Sequence, residues 1–429
     1  MIYWAPFLHF YQPPTQMHAV LKKVCNESYR PLLKMLLEHP NAKVTINICG
    51  VLTEMLNDHG AGDILSDIKK LAQNNQLEFV DSAKYHPILP LIPQNEVRRQ
   101  IELNQKTNSY FFKESYKVRG FFPPEMCYSS DVARILANMG YEWVLISGVA
   151  CQKKWPLDEI PRISLGESAL NIFYRDDILS NKISFHDLDS AGFISELIQL
   201  AQDKSDIYVI TAMDAETFGH HIQDWEKLFL AEVYEIIEGV ASHDGLKQRA
   251  DLAEEHRKIF ESEEISQIEV VTISQLLEKF PINSSKPPLP SSWSTSKEDI
   301  STENYYPLWK NPGNHVHRLQ WEHLKICFEL IDEVSKLKSE KGIARFYNIS
   351  RALLDRAIHS CQFWWANIGR MWEINLINKG LILQEEVILN AYKAIKISKV
   401  QEEIKREFYH KVTAARDLAN KIRDQLFII

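Results

Sequence analysis

Ile207-Tyr208-Val209-Ile210-Thr211-Ala212-Met213-Asp214-Ala215-Glu216 is a short apolar run that ends in two carboxylates, with Phe218-Gly219-His220-His221 directly behind it. Its length suits a buried strand, and a parallel strand covered on both faces reads as a continuous hydrophobic run. Active sites of open and closed parallel sheets lie beyond the carboxyl ends of such strands. Charge placed there is better explained by chemistry than by packing.

The same pattern recurs upstream. Ile2 to Leu8 is apolar and delivers His9, Tyr11 and Gln12; Lys43 to Ile48 carries Asn47 and ends at Cys49-Gly50. Leu77 to Val80 delivers Asp81, Lys84, Tyr85 and His86, and Val118 to Phe122 ends in Pro123-Pro124-Glu125. Trp143 to Ile146 ends in Ser147-Gly148. Polar residues at one end of successive strands point to one shared site.

Between these strands lie helix-like stretches: Tyr29–Glu38, Val51–Leu56, Ile64–Asn74, Asn95–Ser115, Asp131–Met139, Ile194–Gln202 and Trp225–Val240. Ser130 reads as an N-cap and Gly140 as a C′ glycine. Alternation on this scale predicts a parallel α/β sheet or barrel over residues 1–280, with about seven strands. Residues 281–315 differ: they hold Pro281, Pro287, Pro288, Pro290 and Pro312-Gly313, with Trp293, Tyr305, Tyr306 and Trp309. This reads as an irregular aromatic connecting segment, a type of loop often tied to function. From 316 to 429 apolar residues recur at helical spacing, which predicts a bundle of four or five helices.

The bulk composition narrows the function. With 429 residues, 45% hydrophobic and 25% charged, the chain can bury a large core. A net charge of -8 and a pI near 6.0 give no basic footprint for nucleic acid or an anionic membrane. Six cysteines lack CxxC or metal-ligand spacing and are expected as reduced core thiols. No apolar run approaches the ~20 residues a spanning helix needs. A cytoplasmic protein without metal or cofactor is the simplest expectation; oligomeric state is left open.

Glu125 and Asp214 stand out among the acids. Glycoside hydrolysis needs one carboxylate near the anomeric carbon and one carboxylic acid by the leaving oxygen. Aromatic faces suit sugar rings, and Tyr11, Phe122, Phe218, Trp225, Trp364 and Trp365 are candidates. The segments Leu8-His9-Phe10-Tyr11-Gln12-Pro13, Tyr85-His86-Pro87-Ile88-Leu89-Pro90, Gly120-Phe121-Phe122-Pro123-Pro124-Glu125 and Met213-Asp214-Ala215-Glu216-Thr217-Phe218-Gly219-His220 resemble, in order, sequence regions of glycoside hydrolase family 57. The resemblance implies an incomplete (β/α)7 barrel followed by an α-helical bundle, acting on α-glucans with retention. Carried over by position, Glu125 is the nucleophile and Asp214 the general acid/base. His9 and His86 line the subsite nearest the scissile bond, and Trp364 and Trp365 are the helical region's contribution to the cleft. Two positions depart from the family pattern: Tyr11 stands where a second histidine is usual, and Ala215 where glycine is usual.

Each residue also has a plainer reading. Asp214 could cap a helix, with Glu216 in its first turn. Glu216 shares strand parity with Asp214 and either competes for the acid role or supports the site. His9 could be a satisfied core histidine. His220-His221 point to opposite faces of a strand and rarely chelate one ion. Trp364 and Trp365 fit helix packing as well as substrate contact, and Lys84 could serve only to neutralise Asp81. Two other classes compete with an α-glucan hydrolase or its transferase and branching-type variants. One is a metal-dependent carbohydrate deacetylase using His9, His86, Asp81, Asp214 and His220; the other is a non-catalytic glucan-binding protein, which would not need an acid pair.

Overall fold

The computed structural model describes residues 1–201, 206–239, 265, 267–367 and 371–427. Its strands are β1 (Ile2–Phe10), β2 (Val44–Ile48), β3 (Leu77–Val80), β4 (Gly120–Phe121), β5 (Trp143–Ser147), β6 (Ile160–Leu165), β7 (Ser168–Arg175), β8 (Ile207–Asp214), β9 (Ile268–Val270) and β10 (Ile282–Ser284). Parallel pairing gives the order β8-β1-β2-β3 in one sheet and β4-β5-β7 in the other. The two sheets meet at a parallel bridge between Asp81 and Phe121. There Asp81 N–H donates to Gly120 O at 3.1 Å and Phe122 N–H to Asp81 O at 2.8 Å.

Seven strands therefore follow one another in parallel, the incomplete (β/α)7 barrel. The described residues of β7 and β8 form no ladder; a bond from Asp176 N–H to Ile210 O at 2.7 Å is what reaches between them. In the stretch Ile163–Tyr174, β6 lies outside the parallel order of the seven. It is an antiparallel excursion against β7, turning at Gly166 with φ +78°.

Strand β1 is the centre of the first sheet, and its burial on both faces matches its unbroken apolar sequence. Pro6 would normally be a misfit in a central strand, because it lacks a backbone donor. It lies between the part of β1 that pairs with β9 (Ile2–Trp4) and the part that pairs with β2 (Phe7–Phe10). The missing N–H falls at that handover. Where β4 passes β5, a side chain at Gly120 would meet the Trp143 ring at 2.1 Å, so only glycine lets the indole lie flat.

The expected helices are present with shifted ends. Ser129, not Ser130, accepts from Val132 N–H as N-cap, and Gly140 takes φ +89°. Four short helices were not expected from the sequence: His18–Val24, Asp177–Ser184, Ile273–Lys279 and, inside the segment read as irregular, Lys297–Ser301. Asp176 caps the second by accepting from Leu179 N–H at 2.9 Å. Gln202 and Val240, the expected ends of two helices, lie outside the described residues. Among the described residues no helix is long and apolar enough to cross a membrane.

The chain divides into two compact units. The first comprises Met1–Gln12, Gln16–Lys84 and Leu89–Trp293; the second comprises Pro13–Thr15, Tyr85–Ile88 and Ser294–Ile429. In the second, four long helices run at His315–Ser335, Ile343–Ala357, Ile374–Ile397 and Glu402–Leu426. Leu319, Leu381, Ala419 and Ile422 form one of its apolar clusters. Beside them a buried amide chain links His323 Nδ1 to Gln384 Oε1 (2.7 Å) and Gln384 Nε2 to Gln362 Oε1 (2.7 Å). Most buried polar groups in folded proteins are hydrogen-bonded in this way.

Candidate active site

Strand register sets the first row of the site. Parallel pairing aligns Asp214 of β8 with His9 of β1, and His9 with Asn47 of β2, at the carboxyl ends of three adjacent strands. His9 Nδ1 lies 2.8 Å from Asn47 Oδ1, so that nitrogen carries the proton and donates it. The His9 ring is stacked with Phe122 at 4.8 Å and with Tyr11 at 6.0 Å, and Trp293 meets it edge-on at 6.0 Å. Burial pulls its pKa down to about 4, against the smaller opposing effect of Asn47. His9 is therefore a neutral imidazole at physiological pH, a hydrogen-bonding group rather than a cation.

Glu125 reaches the same neighbourhood by another route. It sits in the one-turn segment Pro124–Met126 with φ +58° and ψ 19°, and Met126 follows with φ +50°. Consecutive left-handed residues without glycine are costly and concentrate at functional sites. Trp293 holds the turn at both ends: its indole Nε1 donates to Glu125 Oε2 at 3.0 Å, and its N–H donates to Glu125 O at 3.2 Å. A continuous set of contacts thus runs from Glu125 through Trp293 and His9 to Asp214. Tyr11, Glu125, Asp214 and Trp293 are each only partly buried, so this line is open to solvent.

Behind Asp214 the loop is gripped by a π turn, Cys25–Tyr29. Such turns often mark functional sites, because they re-aim side chains within a helix. Ser28 Oγ donates to Ala215 O at 2.9 Å, Tyr29 OH donates to Glu216 Oε1, and His220 Nδ1 meets Glu27 Oε2 at 2.7 Å. Gly219 lies so near the turn that a Cβ would meet Glu27 O at 1.9 Å, and its φ of +104° suits glycine. Gln12 Nε2 also donates to Glu216 Oε1, at 2.6 Å, and itself accepts from Gln16.

Both acids of this loop have raised pKa values. Burial pushes Asp214 up, and the nearby Arg175 guanidinium partly offsets this. Burial, then the charge of Asp214, pushes Glu216 up against its Tyr29 and Gln12 donors. Interacting carboxyls lose their protons in separate steps, so over an intermediate pH range the pair keeps one proton.

Several expected residues serve other ends. Phe218 and Trp225 are 2% exposed, within the main core. The Trp225 ring stacks on Phe229 at 5.0 Å, and its Nε1 donates to Ile183 O. These rings are consumed by packing and offer no open face to a sugar. Phe122 is likewise fully buried, between Phe7 and His9. Lys84 does not neutralise Asp81; its ammonium pairs with Glu54 at 2.6 Å. Asp81 instead accepts from Asn104, Tyr116, Tyr141 and Ser82 N–H, fixing the strand end where the two sheets meet.

His86 belongs to the second unit, where its Nδ1 lies 2.9 Å from Ser360 Oγ. Trp364 and Trp365 also lie in the second unit, edge-to-face at 4.6 Å. Among the described residues no three His, Cys, Asp or Glu side chains form a metal-holding group. The deacetylase ligand set is thereby dispersed: Asp81 is enclosed by fold donors and His220 is held by Glu27. His221 is exposed, and both histidines lie in a turn rather than on a strand, so strand parity does not apply to them. Among the described residues the six cysteines form no disulfide.

Sequence reading missed Tyr29, Ser28 and Glu27, which sit inside an ordinary-looking helical stretch. Trp293 carried a signal, an aromatic residue in a proline-rich segment, but no indication of its partner.

Comparison with known proteins matches the model of glycosyl hydrolase family 57 to residues 5–281. The α-amylase of Pyrococcus horikoshii is 27% identical over 242 residues, 54% of this chain and 37% of that protein. The 4-α-glucanotransferase of Thermococcus litoralis is 26% identical, covering 54% of this chain and 35% of that one. The chain thus spans little more than a third of the length of these curated relatives. A solved branching enzyme of the family 57 type from Pyrococcus horikoshii superposes with a TM-score of 0.68 at 15% identity, covering 99% of this chain and 95% of that one.

Proposed function

The chain belongs to glycosyl hydrolase family 57, and from that premise we propose that it cleaves α-glucans with retention of configuration, using Glu125 as nucleophile and Asp214 as general acid/base. The observation that carries this reading is the contact line Glu125–Trp293–His9–Asp214 at the carboxyl ends of the parallel strands.

In the first step a Glu125 carboxylate oxygen attacks the anomeric carbon while Asp214 gives its proton to the departing glycosidic oxygen. A covalent glycosyl-enzyme and a shortened glucan result. In the second step Asp214, now ionised, takes a proton from water, whose oxygen attacks the same carbon and frees Glu125. A sugar hydroxyl in place of water makes the same chemistry a transfer. With substrate bound, the two carboxyl groups should lie about 5–5.5 Å apart.

The surroundings suit these roles. Asp214 must start protonated, and burial favours that state. Trp293 supplies Glu125 with a donor that keeps it oriented. The neutral His9 and the open Tyr11 ring suit contacts to sugar hydroxyls and a sugar face. Glu216 acts as a positioning residue, held by Tyr29 and Gln12 beside the acid.

Incubation with maltoheptaose and with pullulan, followed by separation of the products, tests the reading. Shorter products report hydrolysis and longer ones transfer. No change in either substrate would overturn the proposal. Activity abolished by EDTA and restored by a metal would favour the deacetylase class instead.

A further inference from the structure

Tyr392 and Tyr409 face each other across two helices of the second unit, with ring centroids 5.9 Å apart and planes tilted by 47°. They lie on Ile374–Ile397 and Glu402–Leu426, near the turn that joins these helices. A groove of about 610 Å³ opens there, floored by Ile395 and rimmed by Lys396, Arg406 and His410. Pockets of roughly 300–1,000 Å³ hold small ligands, so one or more sugar units fit. Tyr409 is 52% exposed, although aromatic surface is costly to leave in water.

The chemistry of the groove is that of a sugar platform. Two tilted rings offer apolar faces to the C–H sides of successive pyranose rings. Long polar side chains along the rim can reach the hydroxyls, and charged donors make the stronger hydrogen bonds. Lys405 is paired with Glu402 at 2.9 Å, which offsets one of the three Lys and Arg charges lining the groove.

We propose that this groove is a second glucan-binding site, taking an α-glucan chain on Tyr392 and Tyr409. The proposal rests on the α-glucan reading above for the class of ligand. It predicts that binding of glucan polymer depends on Tyr392 and Tyr409, while turnover of a short oligosaccharide does not.

The test is native electrophoresis of the full chain through gels containing glycogen, with Asp214→Asn as background so that the polymer is not digested. The parent is retarded. Tyr409→Ala weakens retardation by about tenfold in apparent dissociation constant, the loss of one aromatic contact. Tyr409→Trp restores it, which shows that the effect is not misfolding. In the chain with Asp214 intact, Tyr409→Ala leaves turnover of maltotetraose unchanged and raises KM for glycogen. Equal retardation of the parent and of Tyr392→Ala/Tyr409→Ala would overturn the proposal. So would a dimer dissolved by Tyr409→Ala with glycogen binding intact, which would give the groove to a second copy of the chain. The two readings fail separately. An inactive wild type whose retardation still depends on Tyr409 removes the catalytic reading alone. An active one whose retardation ignores Tyr409 removes the groove alone.

Discussion

Glu125 and Asp214 are placed by opposite means. Glu125 stands on a backbone turn of unusual conformation, with one indole holding its side chain and its carbonyl. Asp214 stands on regular strand backbone, aligned by eight parallel register pairs between β1 and β8 and backed by a π turn. The proposed nucleophile is thus aimed by local conformation, and the proposed acid by the sheet. Their electrostatic surroundings differ as well. Glu125 has an indole N–H donor, which suits a group that must stay ionised. Asp214 is pushed up by burial, with the Arg175 guanidinium only partly offsetting this, which suits a group that must keep a proton.

Four substitutions probe this contrast. Glu125→Ala should have the largest effect, a fall in turnover of at least about a thousandfold with unchanged far-UV circular dichroism, because the covalent step loses its nucleophile. Azide should restore part of the activity by occupying the vacated space. Full activity in this variant would remove Glu125 from the mechanism.

Asp214→Asn should cost about 10²–10⁴-fold on natural glucans, the range for losing a general acid. The loss should shrink on aryl glycosides whose leaving group needs no proton. An equal loss on both substrates would count against the acid role.

Trp293→Phe keeps the ring and removes the donor to Glu125. A hydrogen bond to a charged group contributes about 1.5–3 kcal/mol, so kcat/KM should drop on the order of tenfold or somewhat more. Full activity here would show that the turn alone aims Glu125.

Glu216→Gln should have the smallest effect on turnover and the clearest effect on pH dependence. The folded-state pKa of Glu216 is raised, so the folded chain holds that proton more tightly than the unfolded one. The stability this confers is present below the ordinary glutamate pKa of about 4.3 and is lost as pH rises through the raised value. Relative to wild type, Glu216→Gln should therefore become more stable as pH rises through that window, by about 1.4 kcal/mol for each pH unit crossed. Parallel melting curves from pH 4 to 8 check this. The alkaline limb of kcat/KM should also move, since the remaining carboxyl titrates alone.

Much of this site was legible in the chain because strand ends announce themselves. His9, Glu125 and Asp214 each follow an apolar run, and the family resemblance assigned the two acids their roles. The seven parallel strands were legible for the same reason. Other features depend on contacts between distant residues. Tyr29 lies 187 positions from the carboxylate it bonds, and Trp293 lies 168 from Glu125. No local pattern marks a π turn, or tells an aromatic ring that packs, as Trp225 does, from one that faces substrate. The antiparallel direction of the β6–β7 pair was not legible, because an antiparallel pair inside a parallel sheet has the same strand signal as its neighbours.

Retention is the central claim, and proton NMR of the first products tests it directly. With maltoheptaose and enough enzyme to outrun mutarotation, the newly formed reducing ends should appear first as the α-anomer and drift towards the equilibrium mixture. Initial release of the β-anomer would mean inversion, and Glu125 would then be a base activating water rather than the nucleophile.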